Sequence, residues 1–315
     1  MNLTFLTWSV LNLKQEFNLI LPLVLIQVGS KILYYIFILP LSILPLWILH
    51  GISSFFYLLI YFVFGYRKKV VRGNLERSLP HLSSLELRKI ERQFYQHFCD
   101  IIVESVKNFN VSKKMVKKRM VIQNPELIDK YYEEGRDVIV VGGHYNAWEL
   151  SVVAVPLYHK HIGIGIYKPL SNKYFDKKMR SSREKFGLKM VPMNKAVRQF
   201  AQSSEGEYRA FIMGSDQSPS NPRTAYWTTF LNQETGVLLG AEKSAKAYDL
   251  PVINAHIEKV RRGYYTMKYN VLFEHPKDTK EGEITETHTK ALEEIILQKP
   301  QFWLWSHRRW KHKRP

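Results

Sequence analysis

The strongest constraint on the fold of this chain is a run of four β-branched residues that ends in two glycines and a histidine, Val138-Ile139-Val140-Val141-Gly142-Gly143-His144. An uninterrupted apolar run predicts a strand covered on both faces, as strands of parallel sheets are. Because the glycines permit a sharp turn, we expect His144 at the carboxyl end of this strand, where open α/β sheets bind their ligands. Asn146 then predicts a helix N-cap, with Glu149 in the first helical turn.

His144 and Glu149 admit two interpretations. An imidazole beside a carboxylate at such an edge is suited to proton transfer. Alternatively, Asn146 and Glu149 form a capping box that serves only the helix N-terminus, and His144 is an ordinary loop residue. The pattern predicts no zinc site, because no second histidine follows one helical turn later. The single cysteine, Cys99, argues against thiolate metal sites and disulfides.

Strand and helix patterns alternate along the rest of the chain. This alternation predicts the α/β class, with a mostly parallel central sheet flanked by helices and a late antiparallel strand pair that turns at Arg261-Arg262-Gly263. No repeat or linker interrupts the pattern, so we predict one cytoplasmic domain over residues 67–315. The predicted strands are 138–141, 162–166, 188–191, 209–213, 251–259 and 264–273; the predicted helices are 85–109, 125–135, 146–157, 171–185, 195–203, 236–248 and 284–298.

The N-terminal part of the chain is strongly apolar. Lys31 is the only charged residue between Phe17 and Phe64, and the apolar stretch 32–64 exceeds the roughly 20 residues that a membrane-spanning helix needs. Prolines divide the stretch, so it forms one kinked span, a helical hairpin or two helices lying in the interface. A buried core helix of a soluble protein is the remaining alternative.

A cluster of cations follows the apolar stretch at once. By the positive-inside rule these cations place the rest of the chain in the cytoplasm. We therefore predict that residues 1–66 anchor the protein to a membrane, as a helix or helical hairpin. The cations are Arg67, Lys68, Lys69 and Arg72.

The whole chain is basic, with a formal net charge of +18. It contains no RNP motif, no zinc-finger spacing and no recognisable helix-turn-helix, so nucleic acid is not the expected partner. Anionic lipid headgroups and acidic proteins explain the cations better in a chain that also carries an apolar anchor.

Three further groups of residues attract attention. Lys168 and a basic helix follow the strand 162–166, although a run of cations is often only a solvated helix face. Asp216 follows the strand 209–213, so it should emerge at the same sheet edge as His144 unless it serves a turn. The C-terminal tail interleaves tryptophans with His307, Arg308 and Arg309, which suits an interface better than a disordered basic tail.

Together these residues resemble the lysophospholipid acyltransferase superfamily, and within it the late acyltransferases of lipid A biosynthesis, the lauroyl/myristoyl transferase family. The resemblance covers roughly residues 32–315 and consists of five blocks in the expected order. The first ~30 residues match nothing in that pattern, and Lys168-Pro169 stands where the family often has Arg-Pro. The blocks are Gly65-Tyr66-Arg67-Lys68-Lys69-Val70-Val71-Arg72-Gly73-Asn74-Leu75, Gly143-His144-Tyr145-Asn146-Ala147-Trp148-Glu149, Tyr167-Lys168-Pro169 with Met179-Arg180-Ser181, Asp216-Gln217, and Trp305-Ser306-His307-Arg308-Arg309-Trp310-Lys311.

The resemblance implies transfer of a fatty acyl chain from a thioester, usually on acyl carrier protein, to a hydroxyl of a lipid A precursor in the bacterial inner membrane. It implies no cofactor. His144 would be the general base, oriented by Glu149. Arg180, held by Asp216, would stabilise the oxyanion. Lys168, His307, Arg308 and Arg309 would bind substrate. The alternatives are acylation of another lipid, such as a lysophospholipid or an aminolipid, and a non-catalytic protein that binds anionic lipid.

Overall fold

The computed structural model describes residues 27–202 and 206–315, and these residues form the predicted α/β fold. Seven strands make one sheet in the order β1-β9-β8-β2-β5-β3-β4, and two more form a separate hairpin. The strands are β1 (Met120–Ile122), β2 (Val138–Gly142), β3 (Ile162–Tyr167), β4 (Lys189–Pro192), β5 (Arg209–Gly214), β6 (Tyr226–Phe230), β7 (Gln233–Val237), β8 (Val252–Arg261) and β9 (Tyr264–Phe273).

The sheet is mostly parallel. Strands β8, β2, β5, β3 and β4 run in one direction, and β9 returns antiparallel to β8. The short strand β1 lies parallel to β9 at the edge of the sheet. The late strand pair therefore forms as predicted, turning through Arg262 and Gly263. The sequence did not predict β1 or the β6–β7 hairpin.

Helices cover both faces of the sheet. Alternate residues of β2 accordingly pack into two different apolar clusters, one on each face. Val138 and Val140 belong to one cluster, and Ile139 and Val141 belong to the other. The four-residue apolar run therefore marks a strand buried on both sides. The helices are Gln27–Ile43, Leu46–Phe64, Lys68–Ser78, Ser84–Asn108, Lys113–Arg119, Glu126–Glu133, Trp148–Ala154, Lys173–Arg183, Ala196–Ala201, Gly240–Tyr248 and Glu283–Gln298.

The prediction of one helix over 236–248 was wrong in its first part. Residues 233–237 form β7, which pairs with β6, and the helix begins only at Gly240. The two-residue turn between these strands has Leu231 at φ +50° and Asn232 at φ +61°. Two successive positive φ angles are typical of a type I′ hairpin turn, which usually carries Asn-Gly. Leu231 gives no such signal, and its burial in the core holds it in this conformation.

The two N-terminal helices, Gln27–Ile43 and Leu46–Phe64, lie along the body of the protein. Leu46–Phe64 is the one helix of the described residues that is long and apolar enough to cross a membrane, with a mean hydropathy of 1.8. Its polar side chains point inward: Ser53 Oγ donates to Asp100 Oδ1 at 2.7 Å, and His50 Nε2 lies 3.1 Å from Glu104 Oε1. Its outward face is apolar, and Trp47 at one end is 75 % exposed.

Candidate active site

The sheet register brings His144 and Asp216 to the same place. Gly142, the last residue of β2, pairs with Gly214, the last residue of the neighbouring strand β5. His144 and Asp216 each follow their strand end by two residues, so both emerge at the carboxyl edge of the sheet. Gly143 is required between them, since an added Cβ would lie 2.7 Å from Leu292 Cδ2 and 3.3 Å from Asp216 Oδ2.

Asp216 is a buried carboxylate that accepts three hydrogen bonds. Its Oδ1 lies 2.6 Å from His144 Nδ1, and its Oδ2 accepts from the His144 backbone N–H at 2.8 Å. The indole Nε1–H of Trp303 also donates to Oδ2, at 2.8 Å. Burial by itself would raise the pKa of this carboxyl, but His144 and these donors hold the pKa well below its usual range. Asp216 is therefore an anion at neutral pH.

His144 is the basic member of the pair. Its side chain is 24 % exposed, whereas that of Asp216 is 3 % exposed. Burial lowers the pKa of His144, but the Asp216 charge and hydrogen bond outweigh burial, so the net pKa lies above the ordinary value. Glu149 adds to the rise through space, and Arg183 opposes it. Because Nδ1–H is directed at Asp216, the neutral ring presents its lone pair on Nε2.

The Nε2 atom of His144 faces the open side of the site. The amide Nε2 of Gln217 lies 3.0 Å from it. Gln217 is exposed, and its neighbours Asp216 and Ser218 are both fixed by hydrogen bonds. The arrangement offers a proton acceptor that a hydroxyl can reach by displacing one side chain.

Glu149 does not contact the ring nitrogens of His144 in the predicted way. Its carboxylate forms a two-point ion pair with Arg183, with Nε to Oε2 at 3.0 Å and Nη2 to Oε1 at 2.6 Å. The carboxylate that orients His144 is Asp216 instead. Asn146 is not an N-cap either, because the helix begins at Trp148 and Asn146 Nδ2 donates to Ile257 O. The capping-box interpretation is therefore wrong.

Lys168 and Arg180 both have exposed side chains. Lys168 is exposed after β3, and its Nζ donates to Ser220 Oγ at 3.1 Å, in the loop after β5. The Arg180 side chain is 48 % exposed, and its Nε lies 3.3 Å from Glu184 Oε2. The expected contact between Arg180 and Asp216 is not formed, because Asp216 is occupied by His144 and Trp303. The cation whose charge acts on His144 is the partly buried Arg183, one helical turn further along.

The three tail residues have different environments. His307 Nε2 accepts from the Ser218 backbone N–H at 3.1 Å, and burial lowers its pKa to about 4, so it is neutral at pH 7. Arg308 is exposed. Arg309 is 2 % exposed and donates to Thr235 Oγ1 and Gly236 O of β7. The guanidinium of Arg309 thus holds the β6–β7 hairpin.

Two features of the site were not predicted from the sequence, namely the pairing of Asp216 with His144 and the contact of Trp303 with Asp216. The pairing of Asp216 with His144 had a signal, since both follow apolar strands, but the spacing of Glu149 from His144 was the stronger one. Trp303 had none, because 87 residues separate it from Asp216. Within residues 27–202 and 206–315, no three His, Cys, Asp or Glu side chains converge as metal ligands would.

A partly exposed histidine paired with a buried carboxylate, at the carboxyl edge of a mostly parallel sheet, is the arrangement of a proton-transfer site. The family model of bacterial lipid A biosynthesis acyltransferases matches residues 22–312, so this chain belongs to that family of acyltransferases. The match confirms the resemblance drawn from the five sequence blocks. No curated protein matches the chain.

Proposed function

We propose that this protein moves a fatty acyl chain from the thioester of acyl carrier protein to a hydroxyl of a lipid A precursor, with His144 as general base. The observation that carries the proposal is the Asp216–His144 pair, which leaves Nε2 as the proton acceptor at the open edge of the sheet. A lipid hydroxyl is a poor nucleophile until a base takes its proton, and this pair supplies that base.

We propose the following course for the reaction. The acceptor hydroxyl displaces the Gln217 amide at His144 Nε2, gives its proton to that nitrogen, and its oxygen attacks the thioester carbonyl carbon. The tetrahedral intermediate then collapses, the C–S bond breaks, and the sulfur takes the proton held on His144 and leaves as a thiol, which restores the neutral imidazole. Asp216 stabilises the imidazolium formed between these steps. No covalent acyl-enzyme is required.

Arg183 is the side chain that we propose for the oxyanion. Glu149 holds its guanidinium by two hydrogen bonds, and the charge of Arg183 is felt at His144. A cation held near the base would stabilise the negative charge that develops on the thioester oxygen. Glu149 would then act by holding Arg183 and by its own charge.

Exposed cations suit an acidic protein donor and a phosphorylated acceptor. Lys168, Arg180 and Arg308 are exposed, and we propose that they and His307 contact the substrates. Lys173 and Lys177 are exposed as well, and acyl carrier protein would dock to such cations by charge attraction.

The direct test is a purified-protein assay in which donor and acceptor are varied separately. We expect an acyl chain carried on acyl carrier protein to be transferred to the hydroxyl of a lipid A precursor, with mass spectrometry reporting the added chain. A lysophospholipid or aminolipid acceptor is the matched comparison. Transfer to those lipids and not to the lipid A precursor would refute the proposed acceptor, and preference for acyl-CoA would refute the proposed donor.

Membrane attachment is proposed for residues 1–66, with residues 67–315 as the acyltransferase domain facing the cytoplasm at the inner membrane. The support is the polarity of the helix Leu46–Phe64. Ser53 and His50 face the protein, while large apolar side chains such as Phe55 and Phe62, each 59 % exposed, face outward. An exposed apolar helix face of this kind is suited to contact with lipid.

Charges on the outward face should weaken membrane attachment. We expect the double variant Phe55→Glu/Phe62→Glu to float with anionic phospholipid vesicles to a smaller fraction than the unaltered protein, because a carboxylate in the apolar region of a bilayer is costly. Leu85→Glu/Val197→Glu is the matched control, since both side chains are exposed apolar residues on other helices. Equal flotation of both variants would show that attachment lies elsewhere in the chain.

A further inference from the structure

The carboxylate of Asp216 is held from the side opposite His144 by a residue near the C-terminus. Trp303 is 1 % exposed, and its indole Nε1–H donates to Asp216 Oδ2 at 2.8 Å. The same Oδ2 atom accepts from the His144 backbone N–H, while Oδ1 faces the ring. Asp216 is thus clamped between two elements that come from distant parts of the chain.

Trp303 is fixed at this position by its own surroundings. Its backbone bridges to Tyr145, the residue after His144, and its ring packs at 4.8 Å from Trp305 and 5.6 Å from Phe230. Further along the tail, Asn74 Nδ2 donates to the carbonyls of Trp305 and His307, and Arg67 donates to that of Ser306. The indole N–H therefore has little freedom to turn away from Asp216.

A hydrogen bond from this donor has two effects on the carboxylate. It fixes the rotation of Asp216 so that Oδ1 stays aligned with His144 Nδ1, and it disperses part of the negative charge over a second partner. A carboxylate with fewer donors binds a neighbouring imidazolium more strongly, which makes the base harder to deprotonate. Trp303 thus acts on the proton affinity of His144 through Asp216, without contacting His144 itself.

We propose that Trp303 is a positioning residue of the acyl-transfer site, which sets the alignment and basicity of His144 through the carboxylate of Asp216. The inference rests on the proposed role of His144 as general base. It adds the C-terminal segment to the catalytic machinery, where it acts by one hydrogen bond and not by contact with substrate.

The test compares Trp303→Phe with Trp305→Phe. Trp305 is 0 % exposed and lies in the same aromatic cluster, but its indole N–H donates to Pro300 O and does not reach Asp216. Both variants lose similar packing, which thermal unfolding measures. We expect Trp303→Phe alone to lower kcat/KM on the order of tenfold and to move the acidic limb of the pH–rate profile upward by about half a pH unit.

The titration can be assigned to His144 because three of its charged or titratable neighbours, Asp216, His307 and Arg183, do not change charge near pH 7. Asp216 is held ionised, His307 is neutral, and Arg183 stays charged through its pair with Glu149. The titration of the His144 ring, followed by nuclear magnetic resonance and identified by its loss in His144→Ala, reports the same shift without any acyl transfer. A result on Trp303 is thus separable from the substrate assignment.

A packing role would give a different result. If Trp303→Phe and Trp305→Phe reduced kcat/KM equally and neither moved the His144 titration, the proposal would be overturned. If Trp303→Phe fails to fold, β-(3-benzothienyl)alanine at position 303 removes only the N–H and keeps the bicyclic shape. An unchanged His144 titration with that side chain would also overturn the proposal, whereas an upward shift would support it.

Discussion

Replacing His144 by alanine should lower the rate of acyl transfer by at least ~10²–10⁴-fold, the contribution that a general base typically makes. The side chain is partly exposed and its ring is held mainly by Asp216, so the fold should tolerate the loss. The measurement is the initial rate with saturating donor and acceptor, beside thermal unfolding and vesicle flotation of the same variant.

The matched control for His144→Ala is His275→Ala. His275 is also a histidine near a carboxylate, with Nδ1 at 3.6 Å from Asp249 Oδ2, but its side chain is 66 % exposed and it lies outside the site. We expect the control to keep full activity. A His144→Ala protein that retained more than about half of the rate would refute the general-base assignment.

Replacing Asp216 by asparagine should lower the rate by up to about 10⁴-fold, because an amide no longer selects the Nδ1–H tautomer of the imidazole. The pH dependence should change as well. In the unaltered protein Asp216 raises the pKa of His144, so activity is lost as pH falls through a value above the ordinary histidine pKa. Without the carboxylate charge that acidic limb moves to lower pH, while the plateau rate drops.

Glu149→Gln is the comparison that separates the two carboxylates. This change weakens the hydrogen bonds that hold Arg183, so the rate should also fall. Glu149 raises the pKa of His144 only through space, however, and by less than Asp216 does. We therefore expect a smaller movement of the acidic limb than in Asp216→Asn. A larger movement in Glu149→Gln would show that Glu149 governs the base, as the H-x-x-x-x-E spacing alone suggested.

The sheet edge could be predicted from sequence because its signal is local. Four β-branched residues before Gly142 determine a buried strand, and a polar residue just beyond such a strand must emerge at its end. The same reasoning placed Asp216 at this edge. The sequence could not decide which carboxylate meets His144, since that depends on the register between β2 and β5, which pairs Gly142 with Gly214.

Contacts between residues that lie far apart in the sequence could not be predicted from local sequence patterns. Trp303 reaches Asp216 only because the tail folds back against the loop after β2, through its bridge to Tyr145. The tryptophans beside Arg309 in a basic tail favoured a substrate-binding role, and the burial of its guanidinium against β7 depends on a tertiary contact that no local pattern signals. The type I′ turn at Leu231 was missed because tertiary burial, and not local propensity, imposes its positive φ angle.

The contact of Ser53 with Asp100 bears on whether the apolar helix can be removed from the protein. Asp100 is a buried carboxylate that also accepts from Arg262 at the β8–β9 turn, so one acidic side chain ties the apolar helix Leu46–Phe64 to the far end of the sheet. Removing that helix would expose the buried ion pair between Asp100 and Arg262, which the helix covers. The apolar helix is therefore packed into the body of the protein, so the proposed lipid-facing surface and the proposed acyl-transfer site belong to one structural unit.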